Sequence, residues 1–148
     1  MVQKEVGQRL AAAPGTRQYG ALSVWVQAHT RPRLEFTLGP GAFSPPPKVD
    51  SAVLSFMPLP RKERPRSPQA LARLLRICFQ QRRKQLGGIF TRAGLAWLAE
   101  TLPSLGLSPQ LRPEALPVEA FLRLSALLAD KTADEPEKTP ASAAEGDA

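Results

Sequence analysis

The sequence predicts a mixed fold: an α/β portion that reads as the closing part of a sheet, followed by an all-α lobe. Three observations carry this reading. The strand-like runs, 33–38 and 51–57, both lie in the first sixty residues. From Pro68 onward the apolar residues recur with the 3.6-residue period of a helix. Between the two regimes stands "PLPRKERPRSP" (58–68), whose prolines and charges mark a linker.

Residues 3–13 are predicted helical, with Val6, Leu10 and Ala13 on one face and Pro14-Gly15 as the stop. Leu22, Trp25, Val26 and His29 fall at i, i+3, i+4 and i+7, a second helical stripe closed by Pro32. In 33–38, Leu34, Phe36 and Leu38 alternate with Glu35 and Thr37, as in a half-buried strand. "SAVLSFM" (51–57) is more continuously apolar, which predicts a strand buried on both faces. Two strands are too few for a stable open sheet. In "GAFSPPPKVDSAVLSF" (41–56), Pro45-Pro46-Pro47 can be neither helix nor central strand, and an extended polyproline II rod is predicted.

After the linker, Ser67 is placed as an N-cap with Pro68 at the first helical position. Leu71, Leu74, Leu75, Cys78 and Phe79 form the buried side of this helix, which is read as continuing to Gly87-Gly88. A further helix is expected over roughly 92–102, with Gly106 as its stop, then a turn at Ser108-Pro109 and a last helix over 117–129. Beyond Asp130 no apolar periodicity remains, and disorder is expected there.

The 43% hydrophobic content fits a globular chain. No apolar run approaches the ~18–20 residues of a membrane span, and "MVQKEVGQRL" is charged where a secretory leader is apolar. A cytoplasmic setting without membrane contact is expected. The single cysteine excludes an internal disulfide, and Cys78 with the single His29 builds no metal site. The net charge of +7 is uneven. Residues 61–92 hold ten Lys/Arg (61, 62, 64, 66, 73, 76, 82, 83, 84 and 92) against Glu63 alone. Such a segment is either a solvated face or the footprint of a polyanion, most commonly nucleic acid.

Cys78 lies on the apolar stripe and is read as a small core residue; Trp25 and Trp97 are read the same way. His29 has no acid or second histidine at a useful spacing. The cations are more telling. Arg73, Arg76, Gln80 and Arg83 trace a polar face continued by Lys84, while Arg82 sits one turn after Cys78, its stem packed and its head at the edge. Adjacent cations around a helix suit RNA backbone, whose phosphates match arginine forks. Phe43 stands between Gly39-Pro40-Gly41 and the prolines, in a rigid loop that suits stacking on a nucleobase.

The strings "MVQKEV", "YGALSV", "AFSPPPKVDSAV", "FQQRRKQL", "GLSPQLRPEAL" and "FLRLSALL" resemble, in order and spacing, the small-subunit ribosomal RNA adenine dimethyltransferases of the KsgA/RsmA family over residues 1–129. The resemblance implies a Rossmann-like class I methyltransferase fold with a helical domain. It also implies transfer of methyl groups from S-adenosylmethionine to N6 of two adjacent adenosines near the 3′ end of the small-subunit RNA. The partner implied is that RNA in the pre-30S particle, met by a monomer. A flipped adenine must be held between aromatic faces, and Phe43 matches the residue of the proline string that supplies one. Lys48 of that string, with Arg73, Arg76, Arg82, Arg83 and Lys84, makes up the expected RNA contacts.

The family's glycine-rich cofactor loop and its Asn-Leu-Pro-Tyr motif have no counterpart here: the chain contains no asparagine, and its one tyrosine, Tyr19, follows Gln18. The expectation is a C-terminal fragment called from an internal methionine, with no cofactor-binding residue and no activity alone. Its expected parts are 1–60 (methyltransferase sheet), 61–67 (linker), 68–129 (RNA-binding helices) and 130–148 (tail). Gly87-Gly88 and Pro117 depart from the family's usual residues. Two other readings stand beside this one: a non-enzymatic ribosome-binding module, and a relative of the erythromycin-resistance methyltransferases acting on 23S RNA.

Overall fold

In the computed structural model, which describes residues 1–134, three strands form one antiparallel sheet: β1 (Val2–Gln3), β2 (Thr30–Leu38) and β3 (Ser51–Pro58), in the order β1-β3-β2. Val2 pairs with Ala52, while β2 runs along β3 from Thr30↔Pro58 to Leu38↔Ser51. A mixed α/β region followed by an all-α lobe is therefore present, but an antiparallel three-stranded sheet is not in itself a Rossmann topology.

Helix α1 (Lys4–Leu10) lies on the sheet face that carries Ala52 and Leu54, where Gly7 leaves just enough room: a Cβ at this position would stand 3.0 Å from Ala52 Cβ and from Leu54 Cδ1. Val53 and Met57 point to the other face by the two-residue alternation of a strand. The expectation that β3 is buried on both faces fails, since only Ala52 is buried and Met57 is 69% exposed. The alternation read in 33–38 fails too. Leu34 pairs with Leu54 but Phe36 pairs with Val53, so Glu35 is an extra residue in a bulge. Leu34 and Phe36 consequently face opposite sides, and both are exposed. Around the proline segment the chain makes a 3₁₀ turn at Pro40–Ala42, bends through 43–45, and has a cis Ser44–Pro45 bond; Pro46 and Pro47 lie in neither helix nor strand, as predicted.

Helix α2 (Ala21–His29) buries Ser23, Val24 and Ala28, while Leu22 is exposed. Its inner face is thus one step away from the expected stripe, because small residues let it approach closely. Ser23 Oγ accepts the Gly20 N–H (3.1 Å) and donates to the Arg9 carbonyl. Gln27 Nε2 donates to the carbonyls of Leu10 (3.0 Å) and Ala12 (2.8 Å), closing the end of α1 that has no intrahelical partners.

Ser67 caps α3 (Pro68–Phe79) as predicted, its hydroxyl accepting the Ala70 N–H at 3.1 Å. The helix stops at Phe79, however, not at Gly87-Gly88, which lie inside α4 (Leu86–Arg92). Gly87 is there for a close approach: its N–H donates to Pro109 O at 2.9 Å, and a Cβ would come within 3.1 Å of Pro109 Cβ. The helix expected at 92–102 is shorter, α5 (Ala96–Thr101), because Gly94 at φ +78° turns the chain after α4. Gly106 at φ +73° ends the following 3₁₀ turn, as expected of a C-terminal glycine. Pro117 does not block α6 (Val118–Asp134); its carbonyl accepts the first helical N–H groups, from Ala120 and Phe121. This helix runs past residue 129, and the disorder expected for the tail falls, from 135 on, outside the described residues.

One apolar core joins Tyr19, Val24 and Ala28 to Leu71, Leu74 and Cys78 of α3, Phe90 of α4, Leu98 of α5, and Phe121, Leu124 and Leu128 of α6. Arg66, in the linker, is tied to α6 by a two-pronged bond to Asp130 (2.6 and 3.3 Å).

Candidate nucleic-acid interface

The basic string Arg82-Arg83-Lys84 lies in the turn between α3 and α4, not around a helix. The reason is physical. One turn after Cys78, residue 82 would enter the core, and a guanidinium cannot be buried there unpaired. Arg82 instead leaves the core and turns along the protein to two partners. Its Nε meets Glu114 Oε2 at 3.3 Å and its Nη2 donates to the Arg17 carbonyl at 2.8 Å. Glu114, on the 3₁₀ turn Pro113–Ala115, also accepts the Gly15 N–H on its own carbonyl at 2.7 Å. The Gly15 backbone, at φ +83°, takes the left-handed conformation that this bend needs.

Around this junction the surface is concave and cationic. A concavity of about 940 Å³ is lined by Arg9, Arg17, Arg82, Arg83, Arg112 and Glu114, with Gly15 and Thr16. Two smaller ones adjoin it. Arg83, Lys84, Arg92 and Arg112 border one of about 320 Å³, and the turn 80–84 with Arg92 borders one of about 510 Å³. Arg83 belongs to all three. Arg9 is paired with Glu5 at 2.9 Å, whereas Arg17, Arg83, Lys84 and Arg112 make no ion pair with a described residue. Several unpaired arginines around one hollow form an arrangement suited to phosphate oxygens.

Of the expected RNA contacts, the structure thus brings together Arg82, Arg83 and Lys84. Arg73 and Arg76 lie exposed on the outer side of α3 and line none of these hollows. Phe43 closes the 3₁₀ turn, its N–H bonded to Pro40 O at 3.2 Å and its ring half buried; Lys48 is exposed in the same loop. The far end of that loop is fixed where Lys4 N–H meets Asp50 O at 2.9 Å and Lys4 Nζ stands 3.8 Å from Asp50 Oδ2. Arg17 and Arg112 were not expected in the site; each is an isolated cation in a loop, and only tertiary folding gathers them. A separate groove of about 770 Å³ runs between the linker and α6, with Arg31, Lys62, Arg64, Arg66 and Arg123 facing Glu63 and Glu119.

Cys78 is buried, and burial pushes its thiol up to about 12. His29 Nδ1 lies 2.7 Å from the Trp25 carbonyl, which assigns the proton to that nitrogen. Among the described residues no cluster of His, Cys, Asp or Glu could hold a metal ion, and no helix is long and apolar enough to cross a membrane.

Two solved structures share the fold. A dimethyladenosine transferase from Plasmodium falciparum superposes with a TM-score of 0.78 at 24% identity, over 88% of this chain and 56% of that one. The 23S rRNA methyltransferase ErmE gives 0.58 at 18%, over 86% and 52%. Residues 1–130 match the family described as ribosomal RNA adenine dimethylase, and the chain belongs to that family. A ribosomal RNA small subunit methyltransferase A from Oleidesulfovibrio alaskensis is 56% identical over 128 residues, which cover 86% of this chain and 46% of that relative. One from Pseudomonas aeruginosa is 46% identical over 133 residues, covering 88% and 48%. The chain thus spans about half the length of the curated relatives it matches.

Proposed function

We propose that this chain is the C-terminal, RNA-holding half of a small-subunit ribosomal RNA adenine dimethyltransferase, working in the cytoplasm on the pre-30S particle. The observation that carries the proposal is the cationic hollow around Arg83, in a chain of this family. Its cations hold the RNA backbone, Phe43 supplies one face for the flipped adenine, and residues 68–134 form most of the RNA-binding part. Relatives at 44–56% identity named for the small subunit favour that substrate over 23S RNA.

S-adenosylmethionine supplies the methyl group in this family, but the residues described here do not fit it. A sulfonium with a ribose calls for acidic and carbonyl acceptors, whereas the hollows around Arg83 are lined by cations. No step is therefore assigned to these residues beyond binding and stacking. Incubated with labelled S-adenosylmethionine and undermethylated small subunits, the chain alone should give background counts; clear incorporation would overturn this division of labour. Binding to an in vitro transcript of the 3′ end of small-subunit RNA should weaken log-linearly with salt. Salt-independent binding, or none, sinks the RNA-holding role.

The hollow is built wholly from residues of this chain, which supports a second reading as a non-enzymatic ribosome-binding module. A strain whose only such proteins are this chain and the cofactor-binding half of a relative, supplied as a separate polypeptide, separates the two. Dimethylated adenosines, detected by primer-extension stops, favour the enzyme half; bound ribosomes without them favour the module.

A further inference from the structure

Arg82 and Glu114 differ from the cations around them. Arg82 spends its fork inward, on the Glu114 carboxylate and the Arg17 carbonyl, while Arg83 and Lys84 are exposed without an ion pair among the described residues. Glu114 is odder still: a carboxylate in a hollow otherwise lined by arginines opposes any polyanion that enters. It is bonded on both of its ends, through its side chain to the α3–α4 turn and through its backbone to Gly15. Three separate segments therefore meet at this pair: the loop 14–17, the 3₁₀ turn Pro113–Ala115 and the turn 80–85.

We propose that Arg82 and Glu114 are positioning residues that pin the Arg17 loop beside the α3–α4 turn, so that Arg17, Arg83 and Arg112 close together on consecutive RNA phosphates. This rests on the RNA-holding role above. In this arrangement Arg82 serves the protein and not the phosphates: its Nε and Nη2 bonds are made within the chain, and the Glu114 carboxylate 3.3 Å away repels a phosphate at that edge of the guanidinium.

Glu114→Gln provides the test, because the two readings predict opposite signs. Removing a negative charge from a cationic hollow tightens RNA binding if charge alone matters. If the pair positions the loop, binding weakens instead, by about three- to tenfold, or roughly 1 kcal/mol. Phosphate contacts are counted by the salt slope, to which each contributes about one. With the 3′-end transcript as probe, Arg17→Ala and Arg83→Ala should each lower the slope by about one, while Glu114→Gln and Arg82→Lys leave it unchanged. Arg17→Ala keeps the pin, which uses only the backbone of that residue, so it folds normally and tests the assignment alone.

A readout without RNA completes the set: trypsin should cut after Arg17 several times faster in Glu114→Gln than in the parent chain. Tighter or unchanged RNA binding by Glu114→Gln, an unchanged slope in Arg17→Ala, or unchanged cutting each overturns the pair's role. Absence of salt-dependent binding by the parent chain overturns the RNA-holding role instead, and the tryptic result then decides the pin by itself.

Discussion

The hydroxyl of Tyr19 donates to the carbonyl of Leu116 at 2.6 Å, and both residues are wholly buried. The bond ties the loop before α2 to the approach of α6, inside the same core. Replacing Tyr19 by phenylalanine keeps the ring but leaves a buried carbonyl without its donor, a loss of about 1–3 kcal/mol. Thermal unfolding followed by circular dichroism should show a midpoint lower by several degrees. A midpoint within one degree of the parent would mean that water replaces the hydroxyl.

Burial of Cys78 sets the alkaline limit of stability. Its thiol ionises near 9 when solvated and near 12 in the fold. Between those values the unfolded chain gives up a proton that the folded chain keeps, so folding weakens as pH rises from 9, by at most ~1.4 kcal/mol per pH unit for this group. Tyr19, raised by burial and by the neighbouring Glu119 carboxylate, adds to the decline from about 10 upward. Urea midpoints at pH 8, 9 and 10 should fall in that order, and less steeply in Cys78→Ala. Equal slopes in the two proteins would rule out the thiol as a cause.

Gly7 and Gly20 offer a matched contrast. A methyl group at Gly7 meets Ala52 and Leu54 at 3.0 Å, while one at Gly20, whose φ of −160° suits any residue, meets nothing within 4 Å. Gly7→Ala should cost about 1–3 kcal/mol by prising α1 from the sheet. Gly20→Ala should be close to neutral. Denaturant titration of both decides, and equal stabilities would show that α1 shifts at no cost.

Phe36 and Met57, 53% and 69% exposed, lie with Val53 on the sheet face opposite α1. An apolar face of this kind promotes self-association. Analytical ultracentrifugation should find the chain associating with rising concentration, and Phe36→Glu should reduce the association at least severalfold. Identical sedimentation of the two proteins would exonerate this face.

What could be read from the sequence was local. The start of α3 is legible because the Ser67 cap, the proline after it and the leucine stripe fall within a few turns. The end of α3 is not legible. Two glycines look like punctuation, and the contact that explains Gly87 comes from Pro109, in a distant loop. The inner face of α2 is only half legible: Trp25 packs against the core as its size suggests, but Leu22 is exposed, and close packing selects Ser23, Val24 and Ala28. An extra residue in a strand, such as Glu35, leaves no mark on an alternating pattern and shows itself only through the register of the partner strand. The basic string at 82–84 was visible as composition. The separate place of Arg82 was legible from its spacing after Cys78, but its partners, Glu114 and the Arg17 carbonyl, were not, because only tertiary folding brings them there.

The shared core has a consequence for how such proteins can be recombined. Tyr19, Val24 and Ala28 lie among the side chains of α3 and α6, so the helical lobe is not a detachable cassette. A graft of residues 68–134 onto another methyltransferase would carry only part of its own interior. The recipient would have to offer a tyrosine and two small residues at matching places, or receive residues 12–28 along with the lobe. In this architecture the unit of exchange includes α2, whatever boundary the linker marks along the chain.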